Sequence, residues 1–225
     1  VCDKNEGSVG RRASAGSDGV VILWDVVAET GLFRLLGHRG AVTGISFICP
    51  TGSSATGMDG LVTSGADGLV KVWDLNGQCC VQTLTGHRGS VGCLTCSILC
   101  APETASNASS DAVDSKKKWR LVTGCEDGQV RVWSVEELDS ENTSEEKESI
   151  DNDEVFRYMG SLQPPANFSS SSNEGIGSVH FHHNGAYVGV CRTNDRVIEI
   201  YSARSEVEAQ KKRRRRLRRR REKQS

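Results

Sequence analysis

The sequence predicts an all-β fold of repeated small antiparallel sheets, about four with the first truncated, followed by a basic C-terminal helix. Three observations carry this. SAGSDGVVILWD (14–25), TSGADGLVKVWD (63–74) and TGCEDGQVRVWS (123–134) align without a gap. LLGHRGAVTGISF (35–47) and LTGHRGSVGCLTCSI (84–98) precede two of them in register. Each unit alternates apolar and polar residues on both sides of an Asp-Gly, the pattern of a hairpin whose glycine accepts a positive φ. Self-similarity at regular spacing means units that bury a shared core only by stacking on one another.

Taken in order, the first unit supplies Ser14, Asp18 and Trp24, and its histidine is expected before Val1. The second supplies His38, Thr63, Asp67 and Trp73, and the third His87, Thr123, Asp127 and Trp133, with Ser134 where the other two have Asp. A fourth, EGIGSVHFHHNGAYVGVCRTNDRVIEIYS (174–202), is eroded: Cys191 is assigned the hydroxyl position and Tyr201 the tryptophan position. The pattern resembles the WD-repeat propeller blade, with two separated signatures recurring together. That resemblance implies a relay in which the aspartate holds the imidazole, the imidazole reaches the hydroxyl, and the hydroxyl reaches the indole. Such a relay gives each buried polar group a partner. Histidine, aspartate and a hydroxyl also suggest a catalytic triad, but a triad is recognised by geometry and a substrate cleft, so these residues read as structural and no catalytic residue is expected. The repeats therefore predict an arc of a propeller rather than a closed ring, and the chain alone is expected to aggregate or to need further blades.

Between the units lie segments of different character. LCAPETASNASSDAVDSKKKW (99–119) is polar and reads as a disordered loop at about 99–118. EELDSENTSEEKESIDNDE (136–154) holds ten acidic residues and one lysine, so it repels itself and reads as a second disordered insertion. It either solubilises the chain or binds a basic partner or accepts phosphate on its serines. VFRYMGSL (155–162) is expected to resume as an outer strand, and 163–174 to link to the eroded unit. The partial propeller thus spans 1–202 and a basic helical tail 203–225.

The formal charge of -1 conceals an asymmetry. Eleven of the 28 lysines and arginines fall between Lys211 and Lys223, which leaves 17 basic against 28 acidic residues in 1–210. Ala, Glu, Gln, Lys and Arg in the tail favour helix, and Val207, Ala209 and Leu217 are too few to anchor it in a core. Lys211, Lys212, Arg213, Arg214, Arg215, Arg216, Arg218, Arg219, Arg220 and Arg221 are the candidates for RNA-backbone contact or nuclear import. Import alone, phosphate-backbone contact and a solvent-facing linker helix all remain open from the residues. Nine cysteines show no metal-ligand pattern, and Cys93-x-x-Cys96 alternates as strand side chains do, so the thiols read as free. His180, His182 and His183 read as ordinary strand histidines. No cofactor, metal, membrane or small-molecule substrate is expected.

Four stretches resemble one particular family more closely: 17–47, 61–94, 121–138 with the acidic insertion after it, and 185–220. The resemblance is to the WD repeat-containing protein three / DOM-interacting family, the tandem WD-repeat U3 snoRNP subunits of the small-subunit processome. The spacing in WDVVAETGLFRLLGH (24–38) and the eroded unit running into a basic helix are its discriminating parts. It implies a non-catalytic nuclear and nucleolar scaffold in 18S pre-rRNA processing. The implied partners are other WD-repeat processome subunits, U3 snoRNA and 18S pre-rRNA. The alternative is a generic protein-interaction adaptor with a nuclear localisation tail.

Overall fold

The computed structural model describes residues 2–3, 10–48, 60–99, 118–134, 155–162, 174–183 and 185–203. Their strands form four antiparallel sheets in chain order. Sheet one contains β1 (Cys2–Asp3), β2 (Arg11–Ala15), β3 (Val21–Asp25) and β4 (Thr30–Leu35). Sheet two contains β5 (Val42–Ile48), β6 (Gly60–Gly65), β7 (Val70–Asp74) and β8 (Cys79–Leu84). Sheet three contains β9 (Val91–Leu99), β10 (Lys118–Cys125), β11 (Val130–Ser134) and β12 (Arg157–Leu162), and sheet four β13 (Ile176–Phe181), β14 (Tyr187–Arg192) and β15 (Ile198–Ser202). The arrangement is that of consecutive propeller blades. The interior of the first predicted insertion, 100–117, lies outside the described residues, as does the second, 136–154, and the basic tail beyond Ala203.

Every hairpin between the second and third strands of sheets one to three turns on an Asp-Gly, with φ of 78° at Gly19, 77° at Gly68 and 74° at Gly128. A side chain at Gly19 would also stand 3.1 Å from the carbonyl of Gly40, so this turn packs against the Gly-His loop that leads into the next sheet. The Trp-Asp aspartate closes the following hairpin. Asp25 Oδ1 accepts from the backbone N–H of Val27 (2.9 Å) and Ala28 (3.0 Å), and the carboxylate of Asp74 accepts from Asn76 (3.0 Å) and Gly77 (3.1 Å). Self-bonding of this kind makes a tight turn. Sheet three has Ser134 at that place, and its third and fourth strands are joined by the long acidic segment instead.

Strand alternation gives the two middle sheets an apolar set on both faces, and one apolar cluster fills each of the three gaps between sheets. Ala13, Val21 and Leu23 pack with Leu61 and Trp73 between sheets one and two. Val62, Val70 and Val72 pack with Leu121 and Trp133 between two and three, and Val122 and Val130 with Val179, Val188 and Val190 between three and four. The far side of sheet four is open, with Ile198 67% and Ile200 71% exposed.

Register corrects one sequence assignment. Trp73 lies opposite Leu61 and Thr63 opposite Lys71; Trp133 and Thr123 repeat this against Leu121 and Arg131. In sheet four Tyr201 lies opposite Val188, which puts Val190, facing Glu199, at the hydroxyl position, not Cys191. The connection between the last paired residues is one residue longer there, Cys191 to Ile198 against Ser64 to Val70, and one residue of slip moves every side chain to the other face.

The gap between sheets three and four is tight at Gly124, where an added Cβ would stand 2.7 Å from Cys93 Sγ and 2.9 Å from Ile176 Cβ. Gly124→Ala is expected to cost about 1–3 kcal/mol by overpacking, with part recovered in Gly124→Ala/Cys93→Ala, which removes the sulfur the new Cβ would meet. Urea unfolding midpoints check this, and an unshifted midpoint for the single variant contradicts it.

Candidate functional site

The sequence-predicted side chains come together at the junctions between sheets. His38 sits in the loop leaving β4 of sheet one, Thr63 on β6, Asp67 in the Asp-Gly turn and Trp73 on β7 of sheet two. Thr63 is fully buried, and Trp73 nearly so. The Asp67 carboxylate accepts from His38 Nδ1 at 3.0 Å, and also from the backbone N–H of Arg39 (3.0 Å) and Leu69 (3.1 Å). His38 Nε2 lies 2.8 Å from Thr63 Oγ1, which accepts from Trp73 Nε1 at 2.9 Å. Burial alone would raise the Asp67 carboxyl, but the Arg39 N–H, the His38 ring and the Leu69 N–H hold it below its ordinary value. The resulting order is aspartate, Nδ1–H tautomer, hydroxyl, indole, with each polar atom in a bond.

Sheet one keeps part of this. Trp24 Nε1 donates to Ser14 Oγ at 2.8 Å, and Asp18 Oδ1 accepts from the backbone N–H of Val20 at 3.1 Å.

Sheet three carries the same four residue types wired differently. Arg131, opposite Thr123, places its guanidinium between Asp127 and His87. It donates to Asp127 at 3.2 and 2.7 Å, and its NH1 lies 3.0 Å from His87 Nδ1. A guanidinium only donates, so His87 Nδ1 is the acceptor and the ring is the Nε2–H tautomer. That N–H faces Thr123 Oγ1 at 3.3 Å, and Thr123 accepts from Trp133 Nε1 at 3.2 Å while donating to the Arg131 carbonyl at 3.5 Å. Burial first, and then the charge of Arg131, push His87 down to about 4. Burial would raise Asp127, but the Arg131 bonds hold it well below the usual carboxylate range.

The cause of the rewiring is visible one position after Ser64. Sheet two has Gly65 there, and a Cβ on it would lie 2.5 Å from both Asp67 Oδ1 and His38 Nδ1. Sheet three has Cys125 at the equivalent place. Its thiol bonds to the Gly89 carbonyl at 3.5 Å and accepts from the Asp127 N–H at 3.5 Å, occupying the corner where aspartate and imidazole would meet. Lysine at 71 becomes arginine at 131, long enough and planar enough to bridge the separated pair.

Sheet four replaces the relay altogether. Tyr201 Oη donates to Glu199 Oε2 at 2.5 Å, and Glu199 Oε1 accepts from Arg192 Nε at 3.1 Å. Arg192 NH1 reaches back to the carbonyl of Gly128, in the Asp-Gly turn of sheet three, at 3.3 Å. Burial, followed by the Glu199 carboxylate, raises the Tyr201 phenol above its ordinary value. The residue-type pattern of sheets one to three does not reveal this trio, although arginine, glutamate and tyrosine spaced at 192, 199 and 201 are its only sequence signal.

The His182 and His183 rings lie with centroids 4.0 Å apart and tilted by 47°, and among the described residues no group of three or more His, Cys, Asp or Glu could hold a metal ion.

The family model of the WD domain, G-beta repeat, matches residues 30–74 and 78–134. These segments are WD40 repeats. Each match begins at or beside an outer strand of one sheet and ends on the third strand of the next, so the sequence repeat straddles the junction that the relay closes. No curated protein matches the chain. The WD40 domain is a non-catalytic protein-interaction module, and His38, Thr63, Asp67, His87, Thr123 and Asp127 are held in its internal bonds.

Two predictions follow from the wiring of sheet three. Restoring the residues of sheet two, with Cys125→Gly/Arg131→Lys, is expected to rebuild the direct Asp127–His87 bond and raise the His87 titration above about 4, read by histidine ring NMR; an unmoved titration contradicts the cause given. The neutral His87 ring also makes stability pH-dependent. Its folded pKa lies below the ordinary imidazole value of about 6.5, so the unfolded chain takes the proton first, and stability falls as pH drops from about 6.5 through about 4. Thermal melts across that window should show a wild-type decline that His87→Gln flattens, and parallel profiles contradict it.

Proposed function

We propose that the chain is a non-catalytic scaffold whose assembly is the U3 snoRNP of the small-subunit processome, acting in 18S pre-rRNA processing. The observation that carries the scaffold reading is the closure of each relay: the reactive residue types are bonded to one another, which leaves sheet edges and loops for partners. The finer reading is supported by the resemblance over 17–47, 61–94, 121–138 and 185–220, and by the ten lysines and arginines of 211–221. In it, other WD-repeat subunits meet the blades and the basic run lies along U3 snoRNA or 18S pre-rRNA in the nucleolus. Binding of that kind is salt-dependent and indifferent to base sequence. A second reading, an interaction adaptor whose tail serves only nuclear import, is favoured by the repeat match, which covers blades and carries no RNA signal.

Crosslinking and immunoprecipitation in cells separates the two. Wild type is compared with a variant in which Arg213 to Arg221 are neutralised and an independent import signal is supplied. The processome reading expects U3 and 18S-precursor reads that fall on neutralisation. Absence of both RNAs from the wild type overturns it and leaves the adaptor.

A further inference from the structure

The junction between sheets two and three holds an open groove of about 880 Å³, beside residues that differ from those between sheets one and two. The difference is traceable residue by residue. In the first junction Gly37 lies over the indole, where an added Cβ would stand 3.1 Å from Trp73 Cη2, and Phe33 packs into the apolar cluster. In the second, Gly86 has turned away with φ of 105° and nothing within 4 Å of an added Cβ, so the space beside Trp133 is uncovered. Gln82 stands where Phe33 stood. Its side chain does not fill the space; it pairs with the backbone of Phe156, donating to the carbonyl at 2.8 Å and accepting the N–H at 2.7 Å. That bidentate pairing locks β8 to the start of β12, and both residues line the groove.

The lining has a definite chemistry. Trp133 and Tyr158, ring centroids 5.1 Å apart, form an aromatic wall, and Tyr158 is half exposed. Exposed Thr83, Thr85 and Gln129 supply donors along the rim. Three charged residues line the groove: Asp127, Arg131 and Arg88. Asp127 and Arg131 neutralise each other through their paired bonds. Arg88 is bound only through its backbone N–H, to Asp127 at 3.2 Å, so among the described residues its exposed guanidinium is the one charge in the groove without a partner.

We propose that this groove is a docking site for an extended acidic peptide segment of a partner protein, a carboxylate meeting Arg88 and a neighbouring apolar side chain lying on Trp133 and Tyr158. Charge complementarity selects the occupant. A net positive groove rimmed with donors favours a carboxylate, and a guanidinium binds it in a bidentate, charge-assisted pair. The aromatic wall supplies the anchor that such interfaces place beside their charged contacts. The proposal deepens the scaffold reading and rests on it for the existence of a protein partner, but not on the processome assignment.

Selection from a phage library of random nine-residue peptides against the purified chain tests it, followed by fluorescence anisotropy of the most enriched peptide. The expected result is enrichment of Asp and Glu next to an aliphatic or aromatic residue. The enriched peptide should lose about tenfold in affinity in Arg88→Gln, and similarly when its acids are replaced by amides. Tyr158→Ala should weaken it as well, and both substituted positions are exposed, so folding is spared. Equal enrichment of amides and acids, or affinity unchanged in Arg88→Gln, overturns the proposal. Selection dominated by the chain's own acidic sequence from 136 to 154 overturns it in favour of an internal occupant. Peptide selection involves no RNA, so retained peptide binding without U3 association refutes the processome reading alone.

Discussion

The junctions that lead into sheets two and three depend on a buried hydroxyl. Thr63 Oγ1 receives the Trp73 indole and meets the His38 ring, and His38 belongs to the connection arriving from the previous sheet. One atom thus ties the third strand of a sheet to the loop that enters it. A buried indole N–H or imidazole nitrogen without a partner costs about 1–3 kcal/mol, so the entering loop has one low-energy position. Apolar packing between sheets is strong but non-directional. The hydroxyl supplies the direction, and this is why the sequence repeat spans a junction and not a sheet.

A polar tie between neighbouring sheets is made in three ways along the chain. Sheet two uses a direct carboxylate–imidazole contact, which only glycine at 65 leaves room for. Sheet three inserts a thiol at that corner and bridges the gap with arginine, and both bonds at its hydroxyl are longer than in sheet two. Sheet four drops histidine and tryptophan for a buried ion pair bonded to tyrosine, and turns the arginine back onto the preceding sheet. The rewired junction is also one that stands open, because Gly86 turns away and Gln82 is drawn to the Phe156 backbone, where Gly37 and Phe33 cover the equivalent face of the neighbouring junction.

How much of this was legible depended on whether a residue's role is set locally. The Asp-Gly turns and the alternating strands were readable because φ preference and period-two patterning are local. The gathering of His38, Thr63, Asp67 and Trp73 was readable through family resemblance, since 35 residues of chain separate the first from the last. The role of Cys125 was not, because a thiol in place of glycine matters only through what it displaces across a junction. The register of sheet four was missed for a similar reason: Tyr201 and Asp195 keep the spacing of Trp73 and Asp67, and the extra residue in the connection shows only when strands are paired. The groove depended on the direction of Gly86, which no residue type announces.

The central claim is that one motif is wired in two opposite senses in adjacent sheets. Long-range nitrogen–proton correlation NMR of the histidine rings at neutral pH tests it most directly, because the two neutral tautomers have distinct nitrogen shifts. The account predicts the proton on Nδ1 in His38, facing Asp67, and on Nε2 in His87, facing Thr123. The same tautomer in both rings would contradict it, and with it the displacement of the Asp127–His87 contact by Cys125 and Arg131.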